Sequence, residues 1–139
     1  MRFLMMVKAN KDSEAGVLPD EKALSEMGKY NEALIKAGAL LAADGLQASS
    51  KGARVRNADG KVKATDGPFA EAKELIAGYW LIQVNSKEEA VEWLKRAPFG
   101  PGAEIEIRQV FEADDFGANL TPELKAQEAR LRQQTDTKR

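Results

Sequence analysis

The chain has 139 residues, a formal net charge of −1, and neither cysteine nor histidine. These two absences exclude disulfides, thiolate nucleophiles, cysteine-bound zinc and every mechanism that needs an imidazole. The sequence has no basic excess for nucleic acid, no apolar run of the ~20 residues that span a membrane, and no apolar stretch long enough for a signal peptide. We therefore expect a cytoplasmic protein without a metal or other cofactor.

The first part of the chain predicts a strand, a helix and a second strand. An apolar run at residues 2–7 has the length of a buried strand, and residues 10–19 are rich in turn formers. Residues 20–37 then carry large apolar side chains three or four positions apart, which is typical of a helix with one buried stripe. That stripe comprises Leu24, Met27, Tyr30 and Leu34. A second short apolar run, at residues 39–43, indicates another strand.

The pair Asp59-Gly60 marks a β-hairpin. It lies between the alternating segments 54–56 and 61–63. Both central residues of a type I′ turn need positive φ, which Asp-Gly tolerates. The outward residues of both strands are lysine and arginine, which protect an exposed edge from pairing with other chains.

The remaining part repeats the order strand, helix, strand. Residues 78–84 carry apolar side chains on both faces of a strand, which predicts a central strand that is buried on both sides. Ser86 and Glu89 have the spacing of a capping box, so a helix is expected to start there and to end before Pro98. Residues 103–110 alternate, with isoleucines inward and charged residues outward.

These elements predict an α+β fold of the ferredoxin-like type. Two strand-helix-strand halves interleave into a four-stranded antiparallel sheet with both helices on one face. The opposite face stays open although the central strand is apolar on both sides, so we expect a homodimer packed through this open sheet face. We assign residues 1–111 to this domain and residues 112–139 to a C-terminal extension with one helix, from Thr121 to about residue 134.

Residues 65–74, TDGPFAEAKE, resemble the signature of the DGPF-domain proteins, a branch of the YCII-related family. The likeness continues in the same order through the strands at 78–82 and 104–110. It implies a subunit of a dimeric α/β barrel, in a family whose members are often described only as uncharacterised. YCII-type relatives pair a histidine in the first helix with an acidic residue. The corresponding position here is Tyr30, so the histidine-dependent mechanism does not carry over.

Asp66 is the leading candidate for chemistry. At the mouth of a pocket on the sheet, its carboxylate would act as a base or anchor a ligand. The alternative is a turn residue that bonds backbone amides or caps a short helix, expected at residues 70–75. On that helix Glu74 would return to the face of Ala70 and approach Asp66, unless it is simply solvated. Tyr30 is either a donor in the pocket or a core residue with a bonded hydroxyl.

Further residues are candidates for ligand binding. Tyr79 and Trp80 alternate across the central strand, so one ring faces the helices and the other the open face. Arg108 offers a guanidinium to an anionic group, although an outward arginine on a strand is usually solvated. The ligand-binding candidates are Asp44, Gly67, Phe69, Lys73, Tyr79 and Arg108.

Three functions are compatible with this pattern. The first is a cofactor-free enzyme in which Asp66, with Tyr30 or Glu74, moves a proton on a small organic molecule. The second is a module that binds an unidentified small molecule without chemistry. The third is an interaction protein, since some DGPF relatives are encoded near extracytoplasmic-function sigma factors. Direct contact with nucleic acid or a membrane is not expected.

Overall fold

The computed structural model describes residues 1–136 of the chain. Within them, helices and strands alternate in an order that contains the two predicted halves. Short 3-10 turns lie at Ser49–Lys51, Ala72–Glu74 and Ala113–Asn119. The strands and helices are β1 (Arg2–Lys8), α1 (Lys11–Glu14), α2 (Glu21–Lys36), β2 (Leu40–Gly45), β3 (Ala53–Ala58), β4 (Lys61–Asp66), β5 (Ile76–Gln83), α3 (Lys87–Lys95), β6 (Ile105–Gln109) and α4 (Pro122–Asp136).

The main sheet has four antiparallel strands in the order β2-β5-β1-β6. Each strand of one half therefore lies beside strands of the other half, which is the ferredoxin-like arrangement and confirms the predicted fold class. The two central strands, β5 and β1, pair over their full length, with Met5 opposite Trp80. A bulge between Leu40 and Ala42 shifts the register of the edge strand β2.

One face of the main sheet packs against α2 and α3 and forms the core. Phe3, Met5, Leu34 and Ile82 are fully buried there. The ring of Tyr30 meets Trp80 edge to face, with 5.3 Å between centroids. Such pairs add to the free energy gained by burying the aromatic surface.

The buried stripe of α2 is shorter than the sequence pattern indicates. Its buried residues, Tyr30 and Leu34, lie in the second half of the helix. Leu24 is 59% exposed, so its assignment to the stripe is wrong. Leu24 lies in the first turns of α2, which are exposed and do not pack on the core. On α3, Ala90 and Trp93 are the buried residues that face the core.

Residues 10–19, expected as turn, contain the one-turn helix α1. Asn10 caps this helix, since its side-chain oxygen accepts the backbone N–H of Ser13 at 2.9 Å. In return the Ser13 hydroxyl oxygen accepts the backbone N–H of Asn10 at 2.9 Å. This reciprocal capping box is the local reason for the helix.

Strands β3 and β4 form a separate two-stranded sheet, here called the ribbon (residues 53–66). Asp59 and Gly60 connect them with φ values of 53° and 81°. Positive φ at both positions confirms the Asp-Gly hairpin. Every residue of the two strands is exposed, so the ribbon lies outside the core.

The chain divides into two compact units, the first ending at Gln109 and the second beginning at Val110. In the second unit the rings of Phe111 and Phe116 stack with 4.8 Å between centroids. Helix α4 begins as predicted, with the Thr121 hydroxyl accepting the N–H of Leu124 at 3.3 Å. The proposed domain boundary between residues 111 and 112 stays a prediction.

Candidate functional site

The open sheet face, opposite α2 and α3, carries a polar pair at its β2 edge. The strand register aligns Asp44, Tyr79, Met6 and Glu106 in one row across all four strands. The Tyr79 hydroxyl donates a hydrogen bond of 2.7 Å to Oδ2 of Asp44. Tyr79 therefore turns to the open face while Trp80 turns to the helices, so the two rings face opposite sides of the sheet as the alternation predicts.

An ionic group lies at the other end of this row, on the β1 and β6 side. The carboxylate of Glu106 is 3.4 Å from Nζ of Lys8 and 3.5 Å from Nη1 of Arg108. The Arg108 side chain is 72% exposed, so its guanidinium is accessible to an anion. Exposed pairs of this kind contribute little to stability.

Between the two polar groups, the open sheet face is apolar. The next row of the register joins Ala42, Leu81, Leu4 and Arg108. Leu4, Met6 and Leu81 are half-buried, neither packed in the core nor fully solvated. The face thus combines an apolar floor with hydrogen-bonding and charged groups at its two sides.

The DGPF segment, residues 66–69, lies at the end of the ribbon. Asp66 is the last residue of β4 and is exposed. Its neighbour Gly67 donates its N–H to the carbonyl of Gly52 at 3.0 Å. A Cβ at Gly67 would overlap the carbonyl group of Ser49, with the carbonyl carbon only 2.6 Å away. Only glycine allows the two backbones to approach this closely. The close approach therefore explains why residue 67, the third residue of TDGPF, is glycine.

A hydrogen-bonded anchor, absent from the sequence reading, holds the same segment. The Ser49 hydroxyl donates to Oε1 of Glu14, and the Ser49 N–H donates to Oε2 at 2.9 Å. The Ser49 hydroxyl oxygen also accepts the N–H of Phe69 at 3.0 Å. The two hydrogen bonds that Ser49 donates to Glu14 lower the pKa of Glu14 below its ordinary value of 4.5, and the bond from the Ser49 side chain has the larger effect.

Phe69 links this anchor to the ribbon. The guanidinium carbon of Arg54 lies 3.9 Å from the centroid of the Phe69 ring, in cation–π contact. Phe69 is half-buried. Phe69 and Gly67 therefore serve in the structure to fix the DGPF segment against the loop at residues 49–52.

Tyr30 lies in the core. It is 7% exposed, and its hydroxyl donates a 2.6 Å hydrogen bond to the carbonyl of Trp93. Burial raises its pKa to about 12, although the nearby charge of Arg96 opposes the shift. The hydroxyl is thus engaged within the core, which is the structural alternative weighed for this residue.

The predicted helix at residues 70–75 is wrong. Glu71 has a left-handed conformation with φ of 62°, and only Ala72–Glu74 form a single 3-10 turn. The helical spacing that would return Glu74 to the face of Ala70 is therefore broken at Glu71. Glu74 and Lys73 are both exposed.

Two groups of predicted residues are thus separated by the fold. Asp44, Tyr79 and Arg108 share the open sheet face, whereas Asp66, Gly67 and Phe69 lie at the ribbon end. Among residues 1–136, no side chain forms a hydrogen bond or ion pair that joins Asp66 to Tyr30 or Glu74. Glu14 and Ser49 carried no signal in the sequence, because they are 35 positions apart and each is ordinary in its own turn.

The described residues contain no group of three acidic side chains arranged to hold a metal ion. None of their helices is long and apolar enough to cross a membrane. A shallow recess of about 630 Å³ runs along the exposed first turns of α2, and its lining includes none of the predicted site residues. It is lined by Asp20, Glu21, Lys22, Ser25, Glu26 and Lys29.

Comparison with known proteins gives a family but no activity. The model of the YCII-related domain matches residues 1–114. An uncharacterized protein of Rhizobium meliloti (strain 1021) is 30% identical over 76 residues, which are 55% of this chain and 61% of that protein. The match therefore spans about three fifths of the relative's length.

Proposed function

Because the chain belongs to the YCII-related family, a family that leaves the activity open, we propose a function from the site itself. The protein is a homodimeric small-molecule-binding protein, and its ligand lies on the open sheet face. The observation that carries this proposal is the 2.7 Å hydrogen bond between Tyr79 and Asp44 on a face whose floor is apolar.

The residues on this face define the kind of ligand. Ligand sites are mostly apolar with a few placed polar groups, and Leu4, Met6 and Leu81 supply the apolar floor. Asp44, with Tyr79, offers an acceptor and a hydroxyl at one side. Arg108 offers an exposed guanidinium at the other side. The face therefore suits a small organic molecule with an apolar body, a hydrogen-bonding end and an anionic end.

A second copy would enclose this site. An open, half-apolar sheet face loses unfavourable contact with water when another sheet covers it. Twofold symmetry would place the same floor of Leu4, Met6 and Leu81 opposite itself, so that one interface encloses two related sites. This supports the homodimer that the sequence predicts.

Native mass spectrometry of the protein purified under gentle conditions tests the binding. We expect wild type to carry a small molecule, and Tyr79→Phe to lose most of it because the hydroxyl beside Asp44 is gone. Ser50→Ala, which removes an exposed hydroxyl from the 3-10 turn at Ser49–Lys51, is the control and should keep the molecule. Equal retention by Tyr79→Phe and wild type would contradict this site.

Acid–base catalysis by Asp66 is a second candidate. It is favoured by the close approach of Gly67 to Ser49, which fixes the backbone directly after this carboxylate. If a substrate binds at the ribbon end beside Asp66, Asp66→Asn should abolish its conversion while binding on the open sheet face persists. Conversion at the wild-type rate would exclude Asp66 as the base. Assignment to the DGPF branch, the cytoplasmic location and association with a sigma-factor system stay predictions.

A further inference from the structure

One face of the ribbon concentrates positive charge. Its register places Arg56 directly opposite Lys63, and the neighbouring pairs on the same face add Arg54 and Lys61. This face, here called the basic face, carries no carboxylate. Like charges that lie directly opposite each other on a sheet are destabilising. The ribbon therefore has an electrostatic cost that an anion on this face would remove.

The chain itself supplies no such anion. The guanidinium of Arg54 is held over the ring of Phe69. Among residues 1–136, none of Arg56, Lys61 and Lys63 takes part in an ion pair. Because the whole chain has a net charge of −1, this excess of cations is local to the ribbon.

The outer edge of β4, the edge turned away from β3, has unpaired backbone groups. The two-residue turn makes its closing pair, Ala58 and Lys61, exchange backbone hydrogen bonds, and every second pair along the ribbon does the same. Val62 and Ala64 lie between these bonded pairs, so their N–H and C=O groups point away from β3. Within the described part of the chain, β4 pairs with no strand other than β3.

The side chains along this edge alternate in polarity. Lys61 and Lys63 project on the basic face, whereas Val62, on the opposite face, is 69% exposed. Such an edge repels another basic strand, which protects the ribbon from pairing with its own copies. It attracts a strand whose acidic side chains lie opposite the lysines and whose apolar side chains lie beside Val62. The edge of β3 is less suited, because Phe69 already holds Arg54.

We propose that the outer edge of β4 binds an extended acidic segment of a partner protein as a third strand of the ribbon, with carboxylates beside Lys61 and Lys63. Backbone bonds to Val62 and Ala64 supply affinity, and the lysines select an acidic sequence. A third strand also supports a hairpin that is marginally stable alone in water. A nucleic acid fits less well, because it would engage the cations and leave the backbone groups of the edge unused.

Two peptides test the third strand. Both have seven residues with glutamate at the odd positions. One has valine at the even positions, and the other has proline, which has no N–H to donate. By fluorescence anisotropy with the full chain, we expect saturable binding of the Glu-Val peptide that weakens as salt is added, and binding of the Glu-Pro peptide that is at least about tenfold weaker. Equal binding of the two peptides would mean that charge alone holds them, and it overturns the third strand.

Matched proline variants test the choice of edge. Ala64 and Val55 lie opposite each other, and their N–H groups point outward on different edges of the ribbon. Ala64→Pro removes the donor from the edge of β4 and should raise the Kd of the Glu-Val peptide at least about fivefold. Val55→Pro should leave that Kd unchanged. Equal effects of the two variants overturn the assignment to β4.

Charge reversal tests the role of the lysines. Lys61→Glu and Lys63→Glu should each raise the Kd of the Glu-Val peptide about fivefold. Lys22→Glu makes the same change on the exposed first turn of α2 and should leave the Kd unchanged. If all three variants weaken binding equally, the attraction belongs to the whole chain and the two lysines do not select the peptide.

A nucleic acid is the competing occupant of the basic face. Binding of a DNA duplex that is lost in Lys61→Glu, without binding of the Glu-Val peptide at up to about 1 mM, overturns the acidic strand. The edge of β4 belongs to the ribbon and not to the open sheet face. Failure of the peptide to bind therefore leaves the proposed function intact, since Tyr79→Phe tests that function separately.

Discussion

The packing of Gly67 on the loop at residues 49–52 can be tested by the substitution Gly67→Ala, which adds a single methyl group. In Gly67→Ala the new Cβ overlaps the Ser49 carbonyl, so the two backbones must separate. Separation threatens two hydrogen bonds of 3.0 Å, from Gly67 to Gly52 and from Phe69 to Ser49. At roughly 1 kcal/mol each, and with about 1 kcal/mol or more from overpacking, we expect a loss of about 2–3 kcal/mol in the free energy of unfolding.

The same substitution at Gly28 provides the control. Gly28 lies within α2, and a Cβ there meets no atom within 4 Å. Alanine should therefore stabilise the protein by up to about 1 kcal/mol through its higher helix propensity. Urea unfolding followed by the fluorescence of Trp80 and Trp93, both buried, measures the two variants. If Gly67→Ala unfolds at the wild-type urea concentration while Gly28→Ala is stabilised, the close approach of Gly67 to Ser49 is refuted.

Two further predictions concern titration. Because Ser49 lowers the pKa of Glu14, their interaction is fully present above the ordinary pKa of 4.5 and is lost as pH falls below it. Wild type should therefore lose its stability advantage over Ser49→Ala in urea unfolding between pH 5 and strongly acid conditions, and a constant difference would contradict the anchor. In Tyr79→Phe, where Tyr30 is the one remaining tyrosine, tyrosinate absorbance should appear only near pH 12. Ionisation of the folded variant near pH 10 would show that the Tyr30 hydroxyl is not buried in the core.

The parts of the fold that the sequence predicted are those fixed by local patterns. The Asp59-Gly60 turn depends on two adjacent residues that accept positive φ, and it forms where expected. The Ser86 cap likewise depends on contacts within one turn, since its hydroxyl accepts the N–H of Glu89 at 3.1 Å. The interleaved sheet followed because two strand-helix-strand halves have few other ways to cover their helices.

The candidate site was harder to predict because it depends on contacts between distant residues. The anchor of Glu14 and Ser49 joins the end of α1 to the 3-10 turn at Ser49–Lys51, and no local pattern indicates that these two elements meet. The helical spacing assumed for Glu74 failed at one residue, Glu71, whose left-handed backbone no pattern indicated. Strand alternation is local, so the sequence predicted that Tyr79 and Trp80 face opposite sides of the sheet, and the structure shows which ring takes which side. The bond from Tyr79 to Asp44 required the register between β2 and β5.

The mass of the protein in solution tests the central claim most directly, that a second copy covers the open sheet face. Light scattering coupled to gel filtration should give wild type a mass of twice 15.2 kDa. Leu81→Glu, which places a charge on the apolar floor, should give a monomer, whereas Leu24→Glu, on the exposed part of α2, should remain a dimer. A wild-type mass of 15.2 kDa at micromolar concentration, or a Leu81→Glu dimer as stable as wild type, would contradict the claim.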